Sequence, residues 1–78
     1  MAVFRIVIAD EETISEGEER HFTVDSARRS AIRSALNILA DRRGTRRKVT
    51  ATCEIKNDRQ RLARRFDVTI AVGPERLS

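Results

Sequence analysis

This chain has little of the chemistry on which many secreted, membrane or metal-binding proteins depend. Its 78 residues include one cysteine and one histidine, so an internal disulfide is impossible and no Cys/His set is present to bind zinc. No apolar run approaches the roughly 20 residues that span a bilayer, and residues 1–8 have the pattern of a strand, not of a signal peptide. We therefore predict a single domain, residues 1–78, located in the cytoplasm and without a membrane partner.

Motifs for catalysis are also missing. Each of the three glycines suits a turn, and there is no GxSxG, no phosphate-binding glycine loop and no HExxH. Nothing in the sequence ties a carboxylate to His21 as an orienting partner. Cys53 lies among apolar residues, where cysteine behaves as a small hydrophobic side chain. We expect a protein that is not an enzyme, with no catalytic residues, no cofactor and no metal.

Aromatic residues are scarce, since the chain has three phenylalanines and no tryptophan or tyrosine. Phe4, Phe22 and Phe66 all fall on the apolar faces of predicted strands. Proteins that recognise single-stranded nucleic acid usually stack bases on exposed aromatic rings, so the sequence argues against that mode. Two kinds of partner remain: duplex DNA or structured RNA bound through its backbone, and an acidic protein surface.

What the chain does contain is charge, and that charge is sorted along its length. Residues 1–25 contain seven acidic and two basic residues, whereas residues 26–66 contain three acidic and thirteen basic ones. The net charge of +4 therefore conceals a dipolar molecule. Such sorting bears on association and on the choice of partner more than on the fold.

Hydrophobic periodicity predicts a pair of strands in the first third of the chain. Residues 2–9 alternate in polarity as a strand does. Residues 10–17 are polar and acidic and end in glycine, which predicts a connection. Residues 18–24 supply Phe22 and Val24 for a second strand. The result is a hairpin with an acidic loop.

A helix and a second hairpin follow. Asp25 or Ser26 is the predicted N-cap and Gly44 the stop of a helix of about 15–17 residues. Its apolar stripe consists of Ala31, Ile32, Ala35, Leu36 and Leu39. Alternating residues 48–56 and 62–72 predict two more strands. The predicted fold class is α+β, a ββαββ layout in which a four-stranded antiparallel sheet carries one helix on one face, with its other face polar and turned to water. The sequence does not determine the strand order.

The basic residues on and after this helix are the main candidate binding site for nucleic acid or another partner. They are Arg28, Arg29, Arg33, Arg42, Arg43, Arg46, Arg47 and Lys48. Arg42 and Arg43 also suit the negative end of the helix dipole, whereas Arg28 and Arg29 lie at the positive end, where a cation is mildly unfavourable. The alternative interpretation is a solvated basic face that binds nothing.

The acidic segment is the second candidate. Its predicted partner-binding residues are Glu11, Glu12, Glu16, Glu18 and Glu19. Such a loop imitates nucleic-acid phosphates or is simply solvated. It lacks the DxDxDG spacing and terminal glutamate of a calcium loop.

In size, absence of catalytic motifs and ββαββ layout, the whole chain resembles the small anti-CRISPR proteins encoded by phages. The resemblance implies a non-enzymatic inhibitor in the host cytoplasm that docks on a nucleoprotein effector complex and blocks its binding of target DNA. No shared motif exists, so the resemblance assigns no residues.

Two other functions stay open from the sequence. One is a small basic accessory protein that contacts nucleic-acid phosphates. The other is a homo-oligomeric adaptor, in which acidic and basic ends of neighbouring copies pair. A helix-mediated homodimer is also compatible with the serine row Ser26, Ser30 and Ser34.

Overall fold

The computed structural model of the chain describes residues 1–76 and has the ββαββ order expected from the sequence. Its elements, in chain order, are β1 (Ala2–Ala9), β2 (Ile14–His21), α1 (Val24–Arg43), β3 (Lys48–Asn57) and β4 (Leu62–Ala71). The four strands form one antiparallel sheet, with the helix on one face of it. The predicted α+β fold is confirmed.

The strand order, which the sequence left open, is β2-β1-β3-β4. β1 lies between β2 and β3, with Ile6 opposite Gly17 on one side and opposite Ile55 on the other. Because β2 and β3 are both antiparallel to β1, they run in the same direction, and parallel strands need a long crossover connection. Helix α1 is that crossover, which explains why it lies across one face of the sheet.

A stripe of small side chains brings α1 close to the sheet. Ala27, Ala31 and Ala35 are fully buried, and Leu39 continues the stripe. The inward residues of β1 and β3 complete this core: Phe4, Ile6, Ile8, Val49, Ala51, Cys53 and Ile55. Leu36 was predicted to lie on the stripe but is 40% exposed. That placement is wrong because each helical residue is rotated by about 100° from the one before, which turns Leu36 toward solvent.

The second strand is the element whose predicted position is wrong. It covers Ile14–His21 instead of residues 18–24, and the connection before it shortens to residues 10–13. Asp10 stabilises this tight connection, because its Oδ1 accepts hydrogen bonds from the N–H groups of Glu12 and Thr13 at 2.9 and 2.7 Å. β2 is an edge strand with few apolar residues, so hydrophobic alternation could not locate it.

Helix α1 begins earlier than predicted and is 20 residues long. Thr23, not Asp25 or Ser26, is the N-cap, since its side chain accepts a hydrogen bond from the Ser26 N–H at 3.1 Å. Val24 therefore belongs to the helix. Phe22, predicted to face the core, is 81% exposed in the bend before the helix. Gly44 ends the helix with a positive φ of 54°, as the sequence predicts.

The second face of the sheet is not covered by any element of residues 1–76. The molecule measures 52 × 27 × 16 Å, and the smallest dimension fits one helix layered on one sheet. Thr50 and Thr69 hydrogen-bond across this face at 2.9 Å, and Thr52 donates to Asp67 at 3.0 Å. We call it the open face; it carries the polar residues predicted to face water, namely Arg5, Thr50, Thr52, Glu54, Arg65, Asp67 and Thr69.

The close contact of helix and sheet predicts that a larger side chain in place of Ala31 strongly lowers the free energy of unfolding. An Ala31→Leu substitution inserts a larger side chain where no space exists, and overpacking of this kind costs about 1–3 kcal/mol. Ala40→Leu, on the exposed side of the same helix, should change the free energy of unfolding by less than about 0.5 kcal/mol. Urea denaturation followed by circular dichroism measures both. Equal stability of the two variants would contradict the close packing.

Candidate functional site

The acidic connection between β1 and β2 folds back onto the C-terminal end of α1. Glu12 Oε2 forms an ion pair with Arg42 Nη1, and Arg42 Nη2 donates a hydrogen bond to Thr13 Oγ1 at 3.2 Å. Arg42 Nε also lies 3.9 Å from Asp10 Oδ2. A cation is favoured at this end of a helix by the helix dipole. Arg42 is therefore stabilised both by the helix and by the acidic loop.

Arg46 extends this network beyond the helix. Its Nη1 lies 3.5 Å from Glu11 Oε2, and its Nη2 lies 3.9 Å from Glu12 Oε1. These pairs are exposed to solvent, and an exposed ion pair contributes only about 0–1 kcal/mol. Their main effect is on the charge that a partner meets. Two of the predicted acidic binding residues neutralise two of the predicted basic ones within the same molecule.

The other acidic residues assigned to the loop are not in it. Glu16, Glu18 and Glu19 belong to β2, so the prediction of one continuous acidic loop is wrong. Glu16 and Glu18 lie on the open face, where Glu16 Oε1 is 3.6 Å from Arg5 Nε. Glu19 points to the helix side, since successive residues of a strand alternate between faces. The acidic residues therefore occupy three separate places.

The predicted basic cluster is also divided. Four of its residues lie at or beyond the C-terminal end of α1: Arg42, Arg43, Arg46 and Arg47. Arg43 Nη1 donates to the backbone carbonyl of Arg46 at 2.8 Å and closes the turn after the helix. Lys48 begins β3, and because the next residue, Val49, is buried in the core, the Lys48 side chain lies on the open face. Residues 42–48 are thus not one surface.

Arg28, Arg29 and Arg33 form a second basic group in the first half of α1. Arg29 and Arg33 are four residues apart, which places them on the same outward side, about 6 Å from each other along the axis. Arg28 turns toward β4, where its guanidinium carbon lies 5.4 Å from the centre of the Phe66 ring and makes a cation–π contact. Among residues 1–76, none of these three arginines forms an ion pair.

Strand β4 adds another arginine to this group. A groove of about 380 Å³ runs between the start of α1 and β4, and Arg28 and Arg64 both line it, together with Asp25. Arg64 is opposite Ile55 on the helix side of the sheet but remains exposed at the edge. The alternation of residues 62–72 does not assign Arg64 to a face, because a charged residue there interrupts the apolar pattern; the sequence suggests only that Arg59, Arg61, Arg64 and Arg65 extend a basic face if the hairpin lies beside the helix. Arg28 and Arg64 thus share this groove, and Arg29 and Arg33 lie beside it on the outward side of the same helix. We call the set Arg28, Arg29, Arg33 and Arg64 the arginine surface.

His21 has a carboxylate partner that sequence reasoning missed. His21 Nε2 lies 2.7 Å from Glu19 Oε1, which also accepts a hydrogen bond from Ser30 Oγ at 2.6 Å. On the other side of the ring, His21 Nδ1 lies 2.8 Å from Ser26 Oγ. The signal was present in the sequence, because residues two apart in a strand point to the same side. Both residues also lie within the strand predicted over residues 18–24, so this partner of His21 could have been inferred from the sequence.

This network fastens the start of α1 to the edge strand β2. The histidine and the glutamate come from β2, and the two serines come from α1. The order carboxylate, imidazole, hydroxyl is also that of an acyl-transfer triad. Here the four side chains are hydrogen-bonded to one another and join β2 to α1. We call it the β2–α1 clamp: Glu19, His21, Ser26 and Ser30.

Neither a metal centre nor a known family accounts for these residues. Within residues 1–76, no three His, Cys, Asp or Glu side chains are grouped so as to hold a metal ion. The same part of the chain has no helix with the length and apolarity needed to cross a membrane. Cys53 is buried in the core as predicted, and burial, with a smaller effect from Asp67, raises the pKa of its thiol.

Comparison with protein families, curated sequences and solved structures found no match to this chain.

The clamp predicts an acid-sensitive contribution to stability. The hydrogen bond from Ser30, followed by that from His21, lowers the pKa of Glu19. A carboxyl group with a depressed folded pKa stabilises the protein above its unfolded pKa, about 4.3 for glutamate, and this stabilisation is lost as pH falls through the folded pKa. Glu19→Gln should therefore lower the free energy of unfolding at neutral pH and flatten its decline below about pH 5.

Glu18→Gln provides the matched control for that measurement. Glu18 is the adjacent residue of β2, is exposed on the open face and forms no ion pair within residues 1–76. Its substitution should leave the acid dependence unchanged. The free energy of unfolding of both variants should still depend on pH to some extent, because hydrogen bonds from the N–H groups of Thr13 and Glu12 lower the pKa of Asp10 as well. Identical curves for Glu19→Gln and the unsubstituted protein would show that the clamp does not couple folding to pH.

Proposed function

We propose that this chain is a non-enzymatic binding module that holds the phosphate backbone of nucleic acid on its arginine surface. One observation carries the proposal. The acidic loop takes up Arg42 and Arg46, whereas none of the four arginines of the arginine surface has a carboxylate partner among residues 1–76. Positive charge that is not taken up within the molecule is therefore available to a partner near the start of α1 and along β4.

The chemistry of these side chains suits phosphate. A guanidinium group has five N–H donors in a fixed fork that matches two phosphate oxygens. Arg28 is held over Phe66, which restricts its motion and reduces the entropy lost on binding. Arg29 and Arg33 project outward one helical turn apart. Arginines near the positive end of a helix oppose the local dipole, and contact with an anion offsets that cost.

The inhibitor role implied by the resemblance to anti-CRISPR proteins is a specific form of this proposal. A nucleoprotein effector complex exposes phosphates, and the arginine surface offers a means of docking on one. Direct binding of free duplex DNA favours the general nucleic-acid role. Failure to bind free DNA, with binding to an effector complex, favours the inhibitor.

A homo-oligomeric adaptor is the second candidate, and the two edge strands favour it. Edge strand β2 contains Glu16, Glu18 and Glu19, whereas edge strand β4 contains Arg64 and Arg65. β2 and β4 run in opposite directions, so β2 of one copy is oriented to pair antiparallel with β4 of the next. The serine row is a weaker basis for a dimer, because the Ser26 and Ser30 hydroxyls are engaged with His21 and Glu19.

Sedimentation velocity over a range of protein and salt concentrations tests this second candidate. Edge pairing between acidic and basic strands should give association that increases with protein concentration and weakens with salt. A monomer at high micromolar concentration and low salt would contradict it.

Charge reversal on the arginine surface tests the first candidate. Arg29→Glu combined with Arg33→Glu should weaken binding to a labelled random-sequence DNA duplex by about tenfold or more. It should also reduce the slope of log K against log salt by about 2, since each lost phosphate contact accounts for about 0.9. Fluorescence anisotropy at several salt concentrations measures both quantities.

The matched control reverses the same amount of charge on the open face. Arg20→Glu combined with Lys48→Glu changes the net charge equally, and both residues are exposed on the side of the sheet away from α1. A small loss of affinity is expected there from net charge alone. Equal losses in the two double variants would mean that binding depends on total charge and not on the arginine surface.

A further inference from the structure

Phe22 is the exposed aromatic ring that the sequence did not predict. It lies in the bend between β2 and α1 and is 81% exposed. Beside it, Met1 and Val3 are also exposed, at 71% and 47%. These three apolar side chains line one open groove of about 620 Å³ at the end of the sheet that carries the start of α1. We call it the Phe22 groove.

Residues of the β3–β4 hairpin also line this groove. Lys56 and Arg59 line it, together with Arg5 from β1 and the acidic residues Glu18 and Asp58. Residues 56–65 as a whole contain five basic residues and one acidic residue. Lys56 is paired with Glu54 at 2.9 Å, whereas Arg59 forms no ion pair within residues 1–76. The groove lining therefore combines exposed apolar side chains, one of them aromatic, with three basic and two acidic residues, and Arg59 is the basic one without an ion pair within residues 1–76.

Single-stranded nucleic acid has the complementary chemistry. Each base presents a flat π-face, and each linkage presents a negative phosphate; binding grooves for single strands combine aromatic rings with basic side chains for this reason. An exposed ring flanked by arginine and lysine is not explained by the fold, because Phe22 makes no part of the core. The groove volume also falls in the range of about 300–1,000 Å³ that is usual for small-molecule sites.

We propose that the Phe22 groove binds an unpaired nucleobase stacked on the Phe22 ring, with the adjoining phosphate at Arg59. The inference rests on the proposed function, because the arginine surface then holds the remainder of the nucleic acid. The hairpin connects the two regions, since Arg59 borders the groove and Arg64 belongs to the arginine surface. The protein thereby distinguishes single strands or unpaired bases from a continuous duplex.

The test compares two labelled strands of equal length, oligothymidylate and an abasic strand with the same phosphates, by fluorescence anisotropy at low salt. The unsubstituted protein should bind the thymidylate strand about 5-fold or more tightly, as expected when a base stacks on an aromatic ring. Phe22→Leu, which keeps an apolar side chain at an exposed position, should bring the two affinities together. Arg59→Gln should weaken the binding of both strands to the same extent.

Ile14→Ala is the control, because Ile14 is 74% exposed at the other end of β2. It should preserve the preference for bases. Equal affinity of the unsubstituted protein for the two strands overturns the Phe22 groove proposal, and so does a preference that survives in Phe22→Leu. Binding of duplex DNA that depends on Arg29 and Arg33 would still support the proposed function in either case. If the unsubstituted protein binds neither single-stranded nor duplex DNA, both the Phe22 groove proposal and the proposed function are overturned.

Discussion

The structure depends on the contact between the alanine stripe of α1 and the inward faces of β1 and β3. Ala27, Ala31 and Ala35 have almost no side chain, so the helix lies directly on the sheet and its longer residues project sideways or outward. This contact determines on which side of α1 each polar residue lies. Arg28 is turned to the β4 side and Ser30 to the β2 side, while Arg29 and Arg33 lie on the outward side. A domain of this size buries only about 60% of its unfolded surface, so this contact accounts for much of the core.

Folding brings together acidic and basic residues that are far apart in the sequence. The acidic connection after β1 meets the end of α1, some 30 residues later, because β1 lies in the middle of the sheet and the helix crosses over it. Glu12 and Arg42 become partners through this topology. A molecule that is dipolar along its sequence is therefore neutralised at one end. Arg28, Arg29 and Arg64 have no ion pair within residues 1–76 and lie toward the other end, at the start of α1 and on β4.

Much of the fold could be predicted from periodicity, and the failures have a common cause. β1, β3 and β4 alternate strongly because one face of each packs against the helix. β2 is an edge strand whose inward side carries Ser15, Gly17, Glu19 and His21, so its polarity pattern contains no core signal. The error at β2 spread to its neighbours. It placed Phe22 in the core and extended the connection between β1 and β2 by four residues beyond Thr13.

The sequence by itself determined the order of the elements, the amphipathic character of the helix, the polar open face and the excess of arginine. These follow from local periodicity and composition, which depend on residues close together in the chain. Only the tertiary structure decided which charges are paired, which arginines share a surface and that Phe22 is exposed. The reason is physical: ion pairs and grooves depend on distances between residues far apart in the chain. Those distances are set by strand order and register, and these depend on how the whole core packs.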